Sequence, residues 1–498
     1  MPNTQEVGFV KNVRNFLAHL DGLPTIKMGD LVENEQGIRG WVGGLHSDRV
    51  EILLLDEGNV QPGQMFKRSE KKLAVPVGNF LLGRAVNPLG IPIDGKGPLN
   101  NTPGDTLSGL DKAAPGINMR EFITEQLDTG ITIVDTLIPL GKGQRELILG
   151  DARSGKTDFL VDVIVNQRLT QVICVYAAIG KPIPEVKGMI DLLRGNNALG
   201  HTVVVAASST DPAPLIFLAP QTAFAIAEYF QGQGKDVLVI LDDMGNHAKI
   251  YREISLLSNR SPGRESYPGD IFYQHSHLLE RAGKFNHQGG GGSITALPVI
   301  ELNMSDFTTF IPTNLMSMTD GHLLFRSALY NQGQRPAIDI TLSVSRVGQQ
   351  TQERVQNLLS NHSKQVLAKA AQLETVSRFS FELPAETRLI LNQSEIINEL
   401  IKQPSLTYIP KEIQTILLAL PFTPAFQDKD REKVQTFQKS LISVLLQNPA
   451  VIKLAKEIFK LPGEKELLRS LDGIARELGQ FIDPPPKYTL GKESPCKP

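Results

Sequence analysis

One octapeptide, Gly-Asp-Ala-Arg-Ser-Gly-Lys-Thr at residues 150–157, limits the possible folds more than any other part of the 498-residue sequence. It matches G-x-x-x-x-G-K-[ST], follows the apolar run 146–149 and precedes a mostly apolar helical pattern at 158–165. Glycines let successive backbone amides face phosphate oxygens, and the following helix adds the positive end of its dipole. We therefore predict a phosphate-binding loop made of Gly150, Asp151, Ala152, Arg153, Ser154, Gly155, Lys156 and Thr157.

Two side chains of the loop have further predicted roles. Lys156 would reach the outer phosphates, and the Thr157 hydroxyl can bind Mg²⁺. A second apolar run, 236–241, ends in Asp242 and Asp243. A carboxylate at the end of a core strand supports the Mg²⁺ shell in proteins with such a loop. We predict Asp242 for that role beside Thr157, and Asp243 as an acid that caps the next helix.

Phosphate binding does not imply hydrolysis, which also needs a residue that orients the attacking water. A carboxylate just past the strand at 172–178 would be well placed for this, but the sequence has Lys181 there. A protonated lysine cannot accept the proton of water. It could pair with phosphate or with Asp242, or it could be a solvated loop lysine. Nucleotide binding is therefore predicted, whereas hydrolysis is not.

The pattern of short runs predicts three regions. Short strands at 7–13, 37–42 and 50–55 indicate a small barrel or sandwich. Apolar runs that alternate with helical patterns then indicate a mainly parallel sheet covered on both faces; the predicted strands are 146–149, 172–178, 202–206 and 237–241, and the predicted helices 158–165 and 184–194. Residues 349–481 are almost entirely helical in pattern. The predicted boundaries are 1–74, 75–350, 351–483 and a proline-rich tail at 484–498.

Composition excludes several classes of protein. Lys and Arg total 51 and Asp and Glu total 53, so the net charge of −2 gives no bulk reason to expect nucleic-acid binding. Two cysteines, Cys174 and Cys496, are too few for a disulfide framework and fit a reduced compartment. The N-terminus has no signal-peptide pattern. No stretch approaches about 18 uninterrupted apolar residues, so none is expected to span a membrane by itself.

Longer stretches resemble the alpha subunit of F-type rotary ATP synthases. The resemblance is strong over about 75–350 and weak at both ends. Residues 262–273 and 278–282 are similar to an alpha-type segment in which beta subunits and export ATPases differ. The other matching stretches are 130–146, 290–301, 311–314, 319–321 and 343–348.

This resemblance implies a multidomain fold with an N-terminal β-barrel, a central α/β P-loop NTPase domain of the RecA-like type and a C-terminal α-helical domain. It implies a non-catalytic subunit that binds ATP or ADP with Mg²⁺. Three such subunits would alternate with three beta-type catalytic subunits around a gamma-type central stalk. The complex would couple ATP synthesis or hydrolysis to proton or Na⁺ transport, with the chain peripheral, on the cytoplasmic face of a bacterial plasma membrane and in contact with the membrane only through the complex.

The resemblance also assigns residues. Arg346 matches an arginine finger that enters the neighbouring beta subunit's catalytic site, and Ser317 is where the family places another residue facing that site. For the chain's own nucleotide, Tyr330 and Arg335 match a segment near the adenine, and Gln403 matches an adenine-contacting glutamine of the helical domain. Family members usually have Phe at the position of Tyr330.

Several positions depart from the family pattern. Ala152, Arg153 and Ser154 differ from the usual loop, and Lys181 stands where alpha subunits usually have Gln. The sequence begins almost at the first barrel strand, so the usual N-terminal stator-binding helix is expected to be missing and the joint to the peripheral stalk is unknown. The four glycines 289–292 could form a flexible linker, but the family match favours a turn entering a core strand.

Two other functions compete with the alpha-type interpretation. A homohexameric motor, such as an export ATPase or a Rho-like RNA translocase, would need a catalytic carboxylate near position 181. An RNA motor would also favour a basic barrel with aromatic residues, whereas residues 1–74 contain one tryptophan, Trp41, and no clear basic stripe. The third possibility is a ring component adapted to another machine. His275 and His277 lie within the alpha-type match, and their spacing does not indicate a metal site.

Overall fold

A computed structural model describes residues 6–100, 106–302, 306–377 and 384–427, together with the single positions 434, 442, 453, 456 and 457. The chain divides into two compact units. The first comprises Met1–Thr129 and Ile138–Thr351, and the second comprises Gly130–Leu137 and Gln352–Pro498. The predicted tail at 484–498 lies outside the described residues.

The first unit begins with a closed six-stranded barrel. Its strands pair in the order β1-β2-β5-β4-β3-β6, and β6 returns to pair with β1. Closure leaves no unpaired edge, so the barrel alternative of the sequence analysis is confirmed. The strands are β1 Val7–Arg14, β2 Leu17–Gly22, β3 Asp30–Asn34, β4 Arg39–Leu45, β5 Val50–Leu54 and β6 Met65–Lys72.

Alternation along these strands separates two apolar cores. Successive side chains of a strand point to opposite faces. On β5, Ile52 and Leu54 fill the barrel interior, whereas Leu53 joins the larger core of the first unit. On β2, Ala18 points inward and Leu17 joins the larger core. The barrel wall is therefore apolar on both faces where it adjoins the rest of the unit.

The barrel is attached to the rest of the first unit by polar and aromatic contacts as well. The Ser258 hydroxyl donates to Oε1 of the buried Glu51 at 2.6 Å, and Arg260 donates to the carbonyl of Gly43 at 3.0 Å. The ring of Trp41 stacks on that of Phe217 with centroids 6.2 Å apart. These contacts join barrel strands β4 and β5 to the helical layer of the adjoining domain.

A mostly parallel sheet forms the centre of this domain. Its strand order is β17-β16-β10-β15-β13-β11-β12-β8. The short strands β14 and β17 are antiparallel to their neighbours, and β7 and β9 form a separate ribbon. The predicted parallel sheet is therefore confirmed. The strands are β7 Ala74–Val77, β8 Ala85–Val86, β9 Thr106–Gly109, β10 Glu146–Asp151, β11 Ile173–Lys181, β12 Thr202–Ser208, β13 Asp236–Asp242, β14 Gly283–Lys284, β15 Ser293–Leu302, β16 Gly321–Phe325 and β17 Val344–Ser345.

Helices connect these strands, and one of them is long and apolar. Helix α3, Ala213–Gln231, is long and apolar enough to cross a membrane by length and hydropathy, but 83% of that stretch is buried in the fold. Because it packs on β11, β12 and β13, α3 has the character of a core helix, for which length and hydropathy are weak evidence of a membrane span. The helices are α1 Lys156–Asn166, α2 Ile183–Gly195, α3 Ala213–Gln231, α4 Met244–Leu257, α5 Ile271–Leu279, α6 Phe310–Met318 and α7 Ser327–Asn331.

The second unit is helical, and no strand occurs among the described residues after Ser345. It includes the segment Gly130–Leu137, whose buried Asp135 accepts a hydrogen bond from Gln414 at 3.0 Å through its carboxylate. The Asp135 carbonyl accepts from Gln352 and Gln356, each at 3.0 Å. The helices are α8 Arg354–Ser377, α9 Ala385–Leu400, α10 Lys411–Ala419 and α11 Pro424–Gln427.

Candidate nucleotide-binding site

The predicted phosphate loop joins β10 to α1, as the sequence indicates. Gly150 lies directly against β16, so a Cβ there would clash with the carbonyl oxygen of Phe325. Gly155 adopts the left-handed region with φ of 86° immediately before α1 begins at Lys156. That conformation favours glycine. It turns the chain into the helix so that the first backbone amides of α1 face the loop.

Lys156 is held by its own loop. Its Nζ donates to the carbonyl oxygens of Gly150 at 2.8 Å and Asp151 at 2.6 Å. The side chain is buried, and that burial lowers its pKa below the ordinary value, against the opposing charge of Glu301. The ammonium is therefore positioned by backbone dipoles at the place where a bound phosphate would meet the loop.

Tyr330 forms the wall of the pocket opposite the loop. A Cβ at Gly155 would lie 3.0 Å from its ring, which shows how closely the aromatic ring approaches the loop. The guanidinium of Arg335 lies over the Tyr330 ring, 3.4 Å from its centre. It also donates a hydrogen bond to the Tyr330 carbonyl at 2.6 Å. Arg335 thus holds the ring in place instead of lining the pocket itself.

Asp242 is buried at the end of β13, where two donors from β11 engage its carboxylate. The Tyr176 hydroxyl donates to Oδ2 at 2.7 Å, and the Lys181 ammonium lies 2.9 Å from Oδ1. Burial alone would lower the pKa of Lys181, but the charge and hydrogen bond of Asp242, together with the charges of Asp243 and Glu185, raise the pKa above its ordinary value. Burial and the same carboxylate raise the pKa of Tyr176. Both partners are therefore donors, and Lys181 is not a solvated loop lysine.

Asp243 caps a helix, as predicted. Its carboxylate accepts from the backbone amides of Gly245 and Asn246 in the first turn of α4. Its other oxygen accepts from the Glu301 amide of β15 at 3.2 Å. Burial raises the pKa of Asp243 above its ordinary value, and the charge of Asp242 adds to the effect. Asp243 thus fixes the ends of two neighbouring strands.

These side chains surround a pocket of about 410 Å³, a size suited to a small-molecule ligand. Five of the predicted loop residues line it, as do Asp242 and Tyr330 of the predicted set, and the rest of its polar wall consists of Asp158, Lys181, Asp243 and Glu301. Gly150, Asp151 and Ala152 do not line it. The loop residues in the wall are Arg153, Ser154, Gly155, Lys156 and Thr157.

The donor set suits phosphate groups better than a divalent cation. Three cationic side chains, those of Arg153, Lys156 and Lys181, face the pocket beside the N-terminus of α1. Thr157 lies exposed at the start of that helix, where its hydroxyl could bind a metal ion. Both oxygens of Asp242, however, already accept from Tyr176 and Lys181. The Mg²⁺ site predicted at Thr157 and Asp242 therefore remains a prediction, in which Asp242 would have to serve the cation beside the Lys181 ammonium.

Arg346 and Ser317 do not belong to this pocket. The register pairs Glu146 of β10 with Gly321, and Gly321 with Ser345, so Arg346 lies beside the start of β10. The loop follows its other end, five residues or roughly 16 Å further along the strand. The Arg346 amide donates to Asp320 at 2.9 Å, and Ser317 is exposed near the end of α6, three residues before Asp320.

The backbone around Arg346 is fixed while its side chain is exposed. The Ser345 hydroxyl donates to the carbonyl of Pro139 at 2.7 Å and accepts from the Gly348 amide at 3.2 Å. Within the described part of the chain, no ion pair holds the Arg346 guanidinium. An arginine with a hydrogen-bonded backbone and an exposed guanidinium is suited to contact another molecule.

Gln403 lies in the second unit, buried near the end of α9. Its amide nitrogen donates to the carbonyl of Gly130 at 2.7 Å and to that of Thr407. Its amide oxygen accepts from the backbone and the hydroxyl of Thr132, each at 2.9 Å. These four bonds use the full capacity of the amide, so an adenine contact would have to replace one of them. That contact stays a prediction.

Sequence reasoning missed several members of the site. Tyr176 lies inside an apolar strand, and only the pairing of β11 with β13 brings its hydroxyl to Asp242. Glu301 is the exposed residue near the end of an otherwise buried β15. Ser327 donates to the carboxylate of Asp151 at 3.3 Å across a long sequence separation. A polar residue within or at the end of an apolar strand was the available signal for the first two.

Comparisons with known proteins agree with this geometry. Residues 130–345 match the family model described as the ATP synthase alpha/beta family, nucleotide-binding domain. Residues 352–472 match the ATP synthase alpha/beta chain, C terminal domain. The chain is 40% identical to the ATP synthase subunit alpha of Metamycoplasma arthritidis (strain 158L3-1) over 456 residues, 91% of this chain and 86% of that relative.

A second relative is matched over a longer span. The chain is 39% identical to the ATP synthase subunit alpha of Mesomycoplasma hyopneumoniae (strain 7448) over 488 residues, 98% of this chain and 94% of that relative. Identity of this extent is spread over the barrel, the loop domain and the helical region together. The chain therefore belongs to the ATP synthase alpha/beta family, as an alpha subunit of the F type.

Proposed function

We propose that this chain is the non-catalytic, ATP- or ADP-binding subunit of a rotary ATP synthase ring and supplies Arg346 to the ATP site of a neighbouring beta-type subunit. The observation that carries the first part is the ion pair between Lys181 and Asp242. A hydrolytic site needs a group that orients the attacking water. Here the strand end next to the Asp242 carboxylate carries an ammonium whose pKa is raised, so it cannot accept a proton from water.

Strand register supports the second part. Arg346 lies at the opposite end of β10 from the phosphate loop of its own chain, so it cannot serve the nucleotide bound there. The exposed guanidinium of Arg346 could instead act in the site of a neighbouring subunit. It would stabilise the charge of the transferring phosphoryl group, an effect that can be worth roughly 10³–10⁵ in rate when the arginine comes from a neighbouring molecule.

The names of the relatives, which are subunits of ATP synthase, support a proposed assembly. This chain would alternate with beta-type subunits in a hexameric ring around a gamma-type central stalk, with the joint to the peripheral stalk undefined. The complex would couple ATP synthesis or hydrolysis to movement of protons or Na⁺. The chain would then be peripheral, on the cytoplasmic face of the bacterial plasma membrane, and would meet the membrane only through that complex.

Glu301 is the feature that favours the competing homohexameric motor. It is exposed, lines the pocket and has a side chain for which no hydrogen bond or ion pair is found among the described residues. A carboxylate of the pocket without such a partner could act as a base toward water. The two functions differ in one measurable property, because a self-sufficient motor hydrolyses ATP without a second type of subunit.

The test is steady-state ATP turnover by the purified chain, alone and then with its co-expressed beta-type partner. We expect almost no turnover alone and clear turnover together. Arg346→Ala should lower the turnover of the complex by roughly 10³, while leaving ATP binding by the isolated chain unchanged. Arg388→Ala, which removes another exposed arginine, is the matched control and should leave turnover unchanged.

Two outcomes would contradict the proposal. Robust turnover by the chain alone would overturn the non-catalytic assignment, and loss of that activity in Glu301→Gln would identify the motor's base. Full activity of the complex with Arg346→Ala would instead overturn the arginine-finger role and leave the non-catalytic assignment standing.

A further inference from the structure

The structure assigns a role to Lys181 that deepens the proposed function and depends on it: we propose that its ammonium takes the place of the divalent cation, so that this pocket binds ATP or ADP in the metal-free form. The phosphate loop supplies the rest of the anion site through Lys156 and the N-terminus of α1. The inference concerns the ligand's chemical form and is independent of Arg346.

The first argument is the occupancy of Asp242. A divalent cation in a phosphate-loop site is held by the loop hydroxyl and, through this carboxylate, by an ordered water shell. Asp242 is 4% exposed, and each of its oxygens already has a partner, Tyr176 at 2.7 Å and Lys181 at 2.9 Å. Each oxygen keeps a second lone pair, but the carboxylate is buried and its pocket side is occupied by the Lys181 ammonium, so a cation shell that used Asp242 would have to form directly beside that positive charge.

The second argument is the position of the ammonium itself. Its partner Asp242 is almost fully buried, whereas the Lys181 side chain is 20% exposed and forms part of the pocket wall together with Lys156. The positive charge therefore stands between the carboxylate and the space available to phosphates. Two like charges repel at short range, so a divalent cation beside Lys181 is disfavoured while the phosphate chain is attracted.

The third argument concerns the remaining acids of the pocket. Asp243 accepts from the amides of Gly245 and Glu301, which leaves Glu301 and Asp158 as the pocket carboxylates for which no hydrogen bond or ion pair is found among the described residues. Both are exposed, so with the Thr157 hydroxyl they offer a divalent cation only solvated oxygens and no buried carboxylate that is free of a donor. The cations that line the pocket, by contrast, can neutralise several phosphate charges directly.

Calorimetric titration of the full chain with ATP tests this proposal, once in excess MgCl₂ and once in EDTA at equal ionic strength. For the native chain we expect the two dissociation constants to agree within about threefold, which is less than the tenfold change that corresponds to about 1.4 kcal/mol. In Lys181→Gln, which frees Asp242 and removes the ammonium, MgCl₂ should tighten binding by about tenfold or more. Lys187→Gln, which removes an exposed lysine of α2, is the matched control and should behave as the native chain.

The native chain decides the question even if Lys181→Gln does not fold. Binding of ATP by the native chain that is about tenfold tighter or more with MgCl₂ would overturn the inference and leave the proposed function intact. The same ratio in Lys181→Gln and the native chain would overturn the role of Lys181. Absence of ATP binding in both media would overturn the proposed function together with this inference.

Discussion

Two histidines show how strongly a single residue's surroundings decide its chemistry. His275 and His277 are two positions apart in sequence, yet His277 reaches the surface beside Asp111 while His275 is fully buried against His247. Nε2 of His247 donates to the Phe217 carbonyl, so its Nδ1 accepts from Nε2 of His275 at 3.2 Å. Nδ1 of His275 has no partner among the described residues. This chain of hydrogen bonds requires a neutral His247, and a proton on the buried Nδ1 of His275 would be without an acceptor among the described residues.

The buried pair predicts acid sensitivity. Burial lowers the pKa of His247 to about 4 and that of His275 well below its ordinary value. The stability that the two neutral histidines contribute is fully present above pH 6.5 and is lost as pH falls from there toward 4. Over that range the histidines bind protons in the unfolded chain but not in the folded chain. Each histidine accounts for up to about 1.4 kcal/mol per pH unit in that window.

Thermal unfolding at pH 7.5, 6.0 and 5.0 measures this effect. The double variant His247→Gln, His275→Gln should lose clearly less thermal stability between pH 7.5 and 5.0 than the native chain. His287→Gln, which removes an exposed histidine, should retain the native slope. Equal slopes in all three proteins would show that the buried pair does not titrate on unfolding.

At this scale, sequence predicted some roles and left others open. The capping role of Asp243 was predictable because an acid after a strand and before a helix has a local reason to cap. The partner of Lys181 was not, because the choice between phosphate, Asp242 and solvent depends on the packing of β11 beside β13. Tyr176 gave no local signal, since the hydroxyl of a strand tyrosine acquires its meaning from the neighbouring strand.

At the scale of elements, one buried arginine joins three parts of the first unit. Arg281 follows α5 and is 2% exposed. Its Nε donates to Glu228 of α3 at 2.6 Å, and Nη1 donates to the carbonyl of Leu110 at 3.0 Å. The guanidinium also lies 5.3 Å from the centre of the Phe224 ring. This side chain fixes the end of α5 against α3.

Arg281→Met should therefore destabilise the first unit, by less than the about 3–5 kcal/mol of a buried charge left unpaired, because Glu228 loses its buried donor but still pairs with Lys112 at 3.2 Å. The double variant Arg281→Met, Glu228→Met should recover part of that loss. Arg194→Met, at an exposed i,i+3 pair, should change stability by less than about 1 kcal/mol. Urea unfolding compares the three, and additive losses in the double variant would refute the coupling.

Element type was predictable where the period of the apolar residues is clear. The strand predicted at 172–178 is β11 Ile173–Lys181, and the helix predicted at 158–165 is α1 Lys156–Asn166. The turn glycines also behave as predicted, since Gly290, Gly291 and Gly292 have φ of 96°, 73° and 65° before β15. Two-residue strands such as β8 and β17 could not be predicted, because only a neighbouring strand defines them.

At the scale of the whole molecule, the order of domain types was predictable and the way they share residues was not. The segment Gly130–Leu137 lies between the barrel and the phosphate loop in sequence but belongs to the C-terminal helical unit. Glutamine amides far along the chain hold it there, among them Gln403 and Gln414. Such long-range amide bonds carry no local pattern, so sequence periodicity places this segment with its neighbours.

The contact of Trp41 with Phe217 has an optical consequence. Trp41 is the only tryptophan of the chain. Tryptophan fluorescence therefore reports on one place, the contact between the barrel and the adjoining domain. Because this point belongs to the shared apolar core, we expect the emission to move to longer wavelength in urea in one step with the loss of β-sheet circular dichroism. An earlier shift in emission would show that the barrel separates before the sheet unfolds, and the natural fluorescence of the chain would then record that separation without any attached dye.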